Sequence, residues 1–139
     1  MKKILCFRNS KLGDYLISIP SLILIREKYP NCKIYYLTVK SKNYTSLPKI
    51  INNIIIVDKF IYFKNNFKNY LKLMKILKSH KFDIFYYLNE KSNKVREIRD
   101  FIFFNLIGIN IIYGFFTNKL NYSNNSETFQ IAKRVDKNV

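Results

Sequence analysis

Few of the 9 acidic residues in this 139-residue chain stand where chemistry could use them. Asp14 does, in the stretch "RNSKLGDYLISIP" from Arg8 to Pro20, directly after a short apolar run. Two roles are open to it. As an N-cap its carboxylate would accept backbone N–H bonds at a helix start, worth about 0.5–2 kcal/mol relative to Ala. As a general base at the mouth of a crevice it would take a proton from a bound hydroxyl, where position matters first. A helix N-terminus and the neighbouring Lys11 both suit a negative charge there. The residues alone leave both roles open.

Other chemistries are poorly served. The loop holding Asp14 contains only Gly13, so it lacks the closely spaced glycines of a dinucleotide-binding turn, and no Gly-Lys-Ser/Thr ending marks a P-loop. One histidine and two well-separated cysteines, Cys6 and Cys32, cannot assemble a zinc site, so no metal is expected. The same cysteine usage suits a reducing cytosol rather than a disulfide framework. His80, in the polar connector "KSHKFD", reads as a solvated side chain.

The elements that must position Asp14 follow from the apolar pattern. "KILCF" (Lys3 to Phe7) is a continuous apolar run, as in a parallel strand covered on both faces. Tyr15 to Tyr29 has helical spacing through Leu16, Ile19, Ile23 and Arg26, with Pro20 expected to kink or divide the helix and Pro30 to stop it. Further strands are expected at Lys33–Val39, Asn52–Phe60, Phe82–Leu88 and Ile109–Phe115. Further helices are expected at Asn65–His80, with Phe67, Tyr70, Leu73, Met74 and Leu77 on one face, and at Asn93–Gly108. Strands alternating with helices specify an α/β domain, a doubly wound Rossmann-like parallel sheet with right-handed crossovers. At this length one core is formed, burying roughly two thirds of the unfolded chain's surface. Residues 1–117 make up this domain, and 118–139 read as a polar linker and the start of a truncated helix.

Such sheets bind ligands beyond the carboxyl ends of their strands. The loops "RNSKLGD", "KSKNY" and "NEKSNK" would bring Lys11, Lys40, Lys42, Lys91 and Lys94 there with Asn9, Ser10 and Asn89. That rim suits an anionic or hydroxyl-rich ligand. The net charge of +16 invites nucleic acid or an anionic membrane as partner. However, 20 of the 25 basic residues are Lys and only 5 Arg, alongside 21 Ile and 17 Asn, a set of A/T-rich codons that accounts for the charge without any polyanion. A basic α/β binding module for nucleic acid or anionic lipid is therefore the alternative to an enzyme. "MKKILCF" has too short an apolar run for a secretory signal, so the sequons at Asn43, Asn121 and Asn124 lack a secretory context. The charge-free stretch Phe101–Asn118 approaches a membrane span in length, but Gly108 and Gly114 divide it into a helix end and a strand.

"ILCFRNSKLGDYLISIPSLILIREKYPNCKIYYLT" resembles the N-terminus of glycosyltransferase family 9, the bacterial heptosyltransferases of lipopolysaccharide core synthesis. Gly13, Asp14, Pro20, Tyr29 and Pro30 occupy the family's Gly-Asp, internal Pro and Tyr-Pro positions. "KFDIFYYLNEKSN" and "IIYGF" are similar to later family segments, although Tyr87 stands where many members carry an acidic residue. The resemblance, over about Lys3 to Phe116, implies the N-terminal, acceptor-binding half of a GT-B fold. It implies an inverting, metal-independent transfer of a heptose-like sugar with Asp14 as base. Ser10, Lys11, Gly13, Asn89 and Lys91 would then lie near the acceptor. There would be no cofactor beyond a nucleotide-sugar donor as co-substrate. The acceptor would be an anionic lipid-linked glycan at the cytoplasmic face of the inner membrane, and nucleic acid is not an expected partner. A donor-binding C-terminal domain, in cis or in trans, would complete the enzyme, and an inactive remnant is the remaining alternative.

Overall fold

The computed structural model describes residues 1–9, 12–40, 57–89 and 94–115. Their elements are β1 (Lys2–Phe7), α1 (Leu12–Lys28), β2 (Cys32–Val39), β3 (Lys59–Phe63), α2 (Phe67–His80), β4 (Ile84–Tyr87), α3 (Lys94–Ile107) and β5 (Ile111–Tyr113). The five strands form one parallel sheet in the order β3-β2-β1-β4-β5. This is the expected doubly wound α/β arrangement.

Period-2 alternation distributes the strand residues between two apolar layers. Ile4, Cys6, Ile34, Tyr36, Ile84 and Tyr86 face α1, which contributes Tyr15, Leu22 and Ile25. Leu5, Phe7, Leu37, Phe85 and Tyr87 face the other side, where α2 supplies Leu73 and Leu77 and α3 supplies Phe104 and Ile107. Connections leaving β1 and β4 therefore run to opposite faces. Between these two central strands the chain order reverses, which opens a crevice at their carboxyl ends.

Several boundaries and faces differ from the sequence expectation. α1 runs unbroken through Pro20. The proline withdraws one N–H from Leu16's carbonyl, but Leu16 is exposed, so water can replace that bond. α1 is apolar all round, and it buries the Tyr15–Ser18–Leu22–Ile25 stripe rather than the one through Leu16 and Ile23. On α2, Leu73 and Leu77 are buried while Phe67 is exposed. The third strand begins at Lys59, later than expected; Asn52 to Ile56 lie outside the described residues. Asp58 explains the offset. Its N–H donates to Ile34's carbonyl at 2.9 Å, and its Oδ2 accepts from Ile34's N–H at 2.7 Å and from Arg26 at 2.8 Å. That anchor fixes the register before Ile61 and Phe63 enter the core.

Gly108 ends α3 at φ +84°, as expected of a glycine C-terminus. Gly114 has φ +99°, and a Cβ there would run into the Tyr87 carbonyl. The charge-free stretch thus divides as anticipated up to Phe115. No helix among the described residues is long and apolar enough to cross a membrane.

Candidate functional site

The crevice between β1 and β4 is built from the residues that leave those strands. Leu88 donates its N–H to Phe7's carbonyl at 2.8 Å, and Asn89 Oδ1 accepts the Asn9 N–H at 2.6 Å. The two loops are thereby tied together at the point where the chain diverges to opposite faces. Asn89 thus follows β4 and contacts Asn9 of the first loop. Its side chain also hydrogen-bonds the Tyr87 phenol oxygen.

Asp14 lies in the first turn of α1, two residues after the helix start at Leu12, and so stands inside the turn rather than at the N-cap. A carboxylate at this depth still meets the positive end of the helix dipole. Its Oδ1 is 3.5 Å from the guanidinium of Arg8, whose side chain is 8% exposed against 39% for Asp14. Arg8 donates from its other terminal nitrogen to Leu88's carbonyl at 3.0 Å, and its backbone N–H reaches Leu37's carbonyl at 3.2 Å. Arg8 thus ties three segments together, β2 through its backbone N–H and the residue after β4 and the crevice carboxylate through its buried guanidinium. The geometry holds Asp14 toward the site while leaving part of it accessible to a bound hydroxyl.

The sequence reading does not single out Arg8 as a site residue. The signal was its parity. Residue 8 continues the alternation of Ile4 and Cys6, which places it on the α1 face beside Asp14. Gly13 is exposed, with open space where a Cβ would stand. Of the expected rim lysines, Lys40 directly after β2 and Lys94 at the start of α3 are exposed; Ser10, Lys11, Lys42 and Lys91 lie outside the described residues, as does the expected linker at 118–139.

A second polar cluster supports the β4 side. Tyr87's hydroxyl donates to Asp100 Oδ2 at 2.9 Å, and Asp100 Oδ1 accepts from Arg99 Nε at 3.1 Å and from its terminal nitrogen at 2.8 Å. Asp100 and Glu97 are both buried. Burial pushes the Tyr87 phenol well up, the Asn89 bond opposes the shift, and the Asp100 and Glu97 charges reinforce it. Tyr87 therefore remains a neutral donor. The sequence held this cluster too. Residues 97, 100, 104 and 107 fall on one helical stripe, so two carboxylates were aimed at the core.

The remaining reactive side chains are quiet. Burial pushes the Cys6 and Cys32 thiols up, and both are free and buried. His80 is not simply solvated. Its ring packs 5.3 Å from Tyr35 and 5.6 Å from Phe82, and burial, then Lys59 and Lys3, lower its pKa. Among the described residues no group of three His, Cys, Asp or Glu side chains could hold a metal ion.

Set beside known proteins, the chain matches no family model and no curated protein. Its fold is shared with solved structures. One is a glycosyl transferase family 9 protein from Veillonella parvula DSM 2008, with TM-score 0.61 and 18% identity, covering 81% of this chain and 31% of that one. Another is the E. coli ADP-heptose lps heptosyltransferase II, with TM-score 0.60 and 19% identity, covering 82% of this chain and 30% of that one. The chain thus spans somewhat under a third of each structure. The α/β sheet is that of these GT-B glycosyltransferases.

Proposed function

We propose that this chain is the acceptor-binding part of a family 9 type glycosyltransferase and that Asp14 is its base. The observation that carries the reading is Asp14's placement at the β1/β4 crevice, joined to the buried Arg8, on a fold shared with two such enzymes. In this reaction Asp14 takes the proton of an acceptor hydroxyl as its oxygen attacks the anomeric carbon of a nucleotide-sugar. The bond to the nucleotide diphosphate breaks on the opposite side, and configuration inverts. No metal is required by this scheme. Asn89 and the backbone at Gly13 line the acceptor, with Ser10, Lys11 and Lys91 completing its surroundings. A heptose-like donor and an anionic lipid-linked glycan acceptor, met at the cytoplasmic side of the inner membrane, fit the basic character of the chain. The donor is held by a second domain, in cis or in trans.

The test is Asp14→Asn in a two-domain version that carries a nucleotide-sugar domain. Transfer to the acceptor should fall at least about a hundredfold, the usual scale for losing a general base. The thermal midpoint should move little. Wild-type turnover by the variant would end the proposal.

A further inference from the structure

Arg8 holds the carboxylate at the crevice, and the bonds that fix Arg8's own backbone reach back to α3. The buried stripe of that helix runs through Glu97, Asp100, Phe104 and Ile107. An aliphatic residue at position 100 would pack there at least as well, because a buried charge must first be compensated. Asp100 is instead 5% exposed with both oxygens engaged, Oδ1 by Arg99 at 2.8 Å and Oδ2 by the Tyr87 hydroxyl at 2.9 Å.

These bonds have a direction. An ionised carboxylate only accepts, so the one proton of the Tyr87 phenol points to Asp100. The phenol oxygen can then only accept from Asn89, which turns its amide nitrogen toward Tyr87. Asn89 Oδ1 is left to take the Asn9 N–H at 2.6 Å, a short N–H···O bond. That N–H belongs to the peptide joining Arg8 to Asn9. Fixing its plane fixes the backbone from which the Arg8 side chain reaches Asp14 Oδ1 at 3.5 Å and the Leu88 carbonyl at 3.0 Å. Parity allows both tasks at once: Asn9 and Asn89 continue the alternation of Phe7 and Tyr87 on the α3 side, while Arg8 points to the α1 side.

We infer that Asp100 and Tyr87 are positioning residues for Asp14, setting the orientation of the Asn89 amide and through it the Arg8–Asn9 peptide. The catalytic part of this rests on Asp14 being the base. A mere staple of α3 to the sheet would need the Tyr87–Asp100 bond but not its direction.

Reversing the direction while keeping the bond separates the two roles. In Asp100→Asn the charged Arg99 retains the side-chain oxygen, so the new amide nitrogen faces Tyr87 and donates to it. The phenol proton then goes to Asn89 Oδ1, and the Asn89 amide nitrogen is turned on the Asn9 N–H, donor against donor. By nuclear magnetic resonance of the chain, the Asn9 amide proton should move upfield and exchange at least about tenfold faster. The Leu88 amide, bonded to Phe7's carbonyl at 2.8 Å, should keep its protection. Asn89→Ala, which leaves the buried pair intact, should change Asn9 in the same way, and combining the two substitutions should add little. Tyr87→Phe keeps the ring that stacks on Phe115 at 4.2 Å and should also loosen Asn9, so it decides the matter if Asp100→Asn misfolds. In the two-domain version Asp100→Asn should lower kcat about tenfold or more while the acceptor KM changes far less, as expected of a misplaced base. An unchanged Asn9 amide in the folded variants overturns the inference, and so does equal loss of protection at Leu88, which would reduce the pair to a staple. Wild-type kcat for Asp100→Asn beside an inactive Asp14→Asn overturns it and leaves the base reading standing. An active Asp14→Asn ends that reading and the catalytic part of the inference together.

Discussion

Gly13 separates two demands on the first loop. It sits in the first turn of α1 with open space where a side chain would begin, so the fold itself does not require glycine. Gly13→Ala should therefore raise thermal stability, by up to about 1 kcal/mol from helix propensity alone. If the acceptor approaches this backbone closely, the same substitution weakens acceptor binding, and calorimetric titration of both forms with an acceptor glycan reads the difference. A loss of stability would mean that the loop is shaped by its own packing. At this scale the sequence was informative about Asp14 and Asn89, whose positions follow from strand ends. It was silent about the Arg8 guanidinium, because contacts between Arg8, Asp14 and Leu88 join segments up to 80 residues apart. His80 misled for the same reason, since Tyr35, one of its aromatic neighbours, comes from a distant strand.

Among the elements, strand existence was legible and helix orientation was not. Short continuous apolar runs such as "ILCF" and "IFYY", set between polar loops, suit central parallel strands, whereas α1 offers apolar residues in every direction. Which stripe is buried was decided by the partners across the sheet: Tyr15 packs edge-on against Tyr36 at 5.0 Å, and Ser18's hydroxyl lies 3.3 Å from that of Tyr36. Loop geometry could not be read in advance either. Gly114 is legible as a break and as part of "IIYGF", but nothing in those readings shows that it holds a left-handed conformation against the Tyr87 carbonyl where β5 lies beside β4. Gly114→Ala incurs both backbone strain and a steric clash, so destabilisation of about 2 kcal/mol or more is expected. A denaturant midpoint unchanged from wild type would contradict that packing.

For the whole molecule, the sheet order puts β1 in the middle, paired with β2 from Lys2 to Phe7 and with β4 from Ile4 to Phe7. Among the described residues β5 is a three-residue edge with one neighbour. Amides of Leu5 to Phe7 should accordingly exchange with solvent slowest, at the rate set by global unfolding, and those of β5 much faster. Comparable protection across the sheet would refute this hierarchy. The same arrangement has a consequence in time. During synthesis β1 leaves the ribosome before either of its partners, and the second of them ends at Tyr87, 80 residues after Phe7. Until β4 has emerged, one edge of this strand, whose Ile4 to Phe7 are all buried in the finished fold, remains an open template, so the nascent chain passes through an interval in which a chaperone or a neighbouring chain can pair with it.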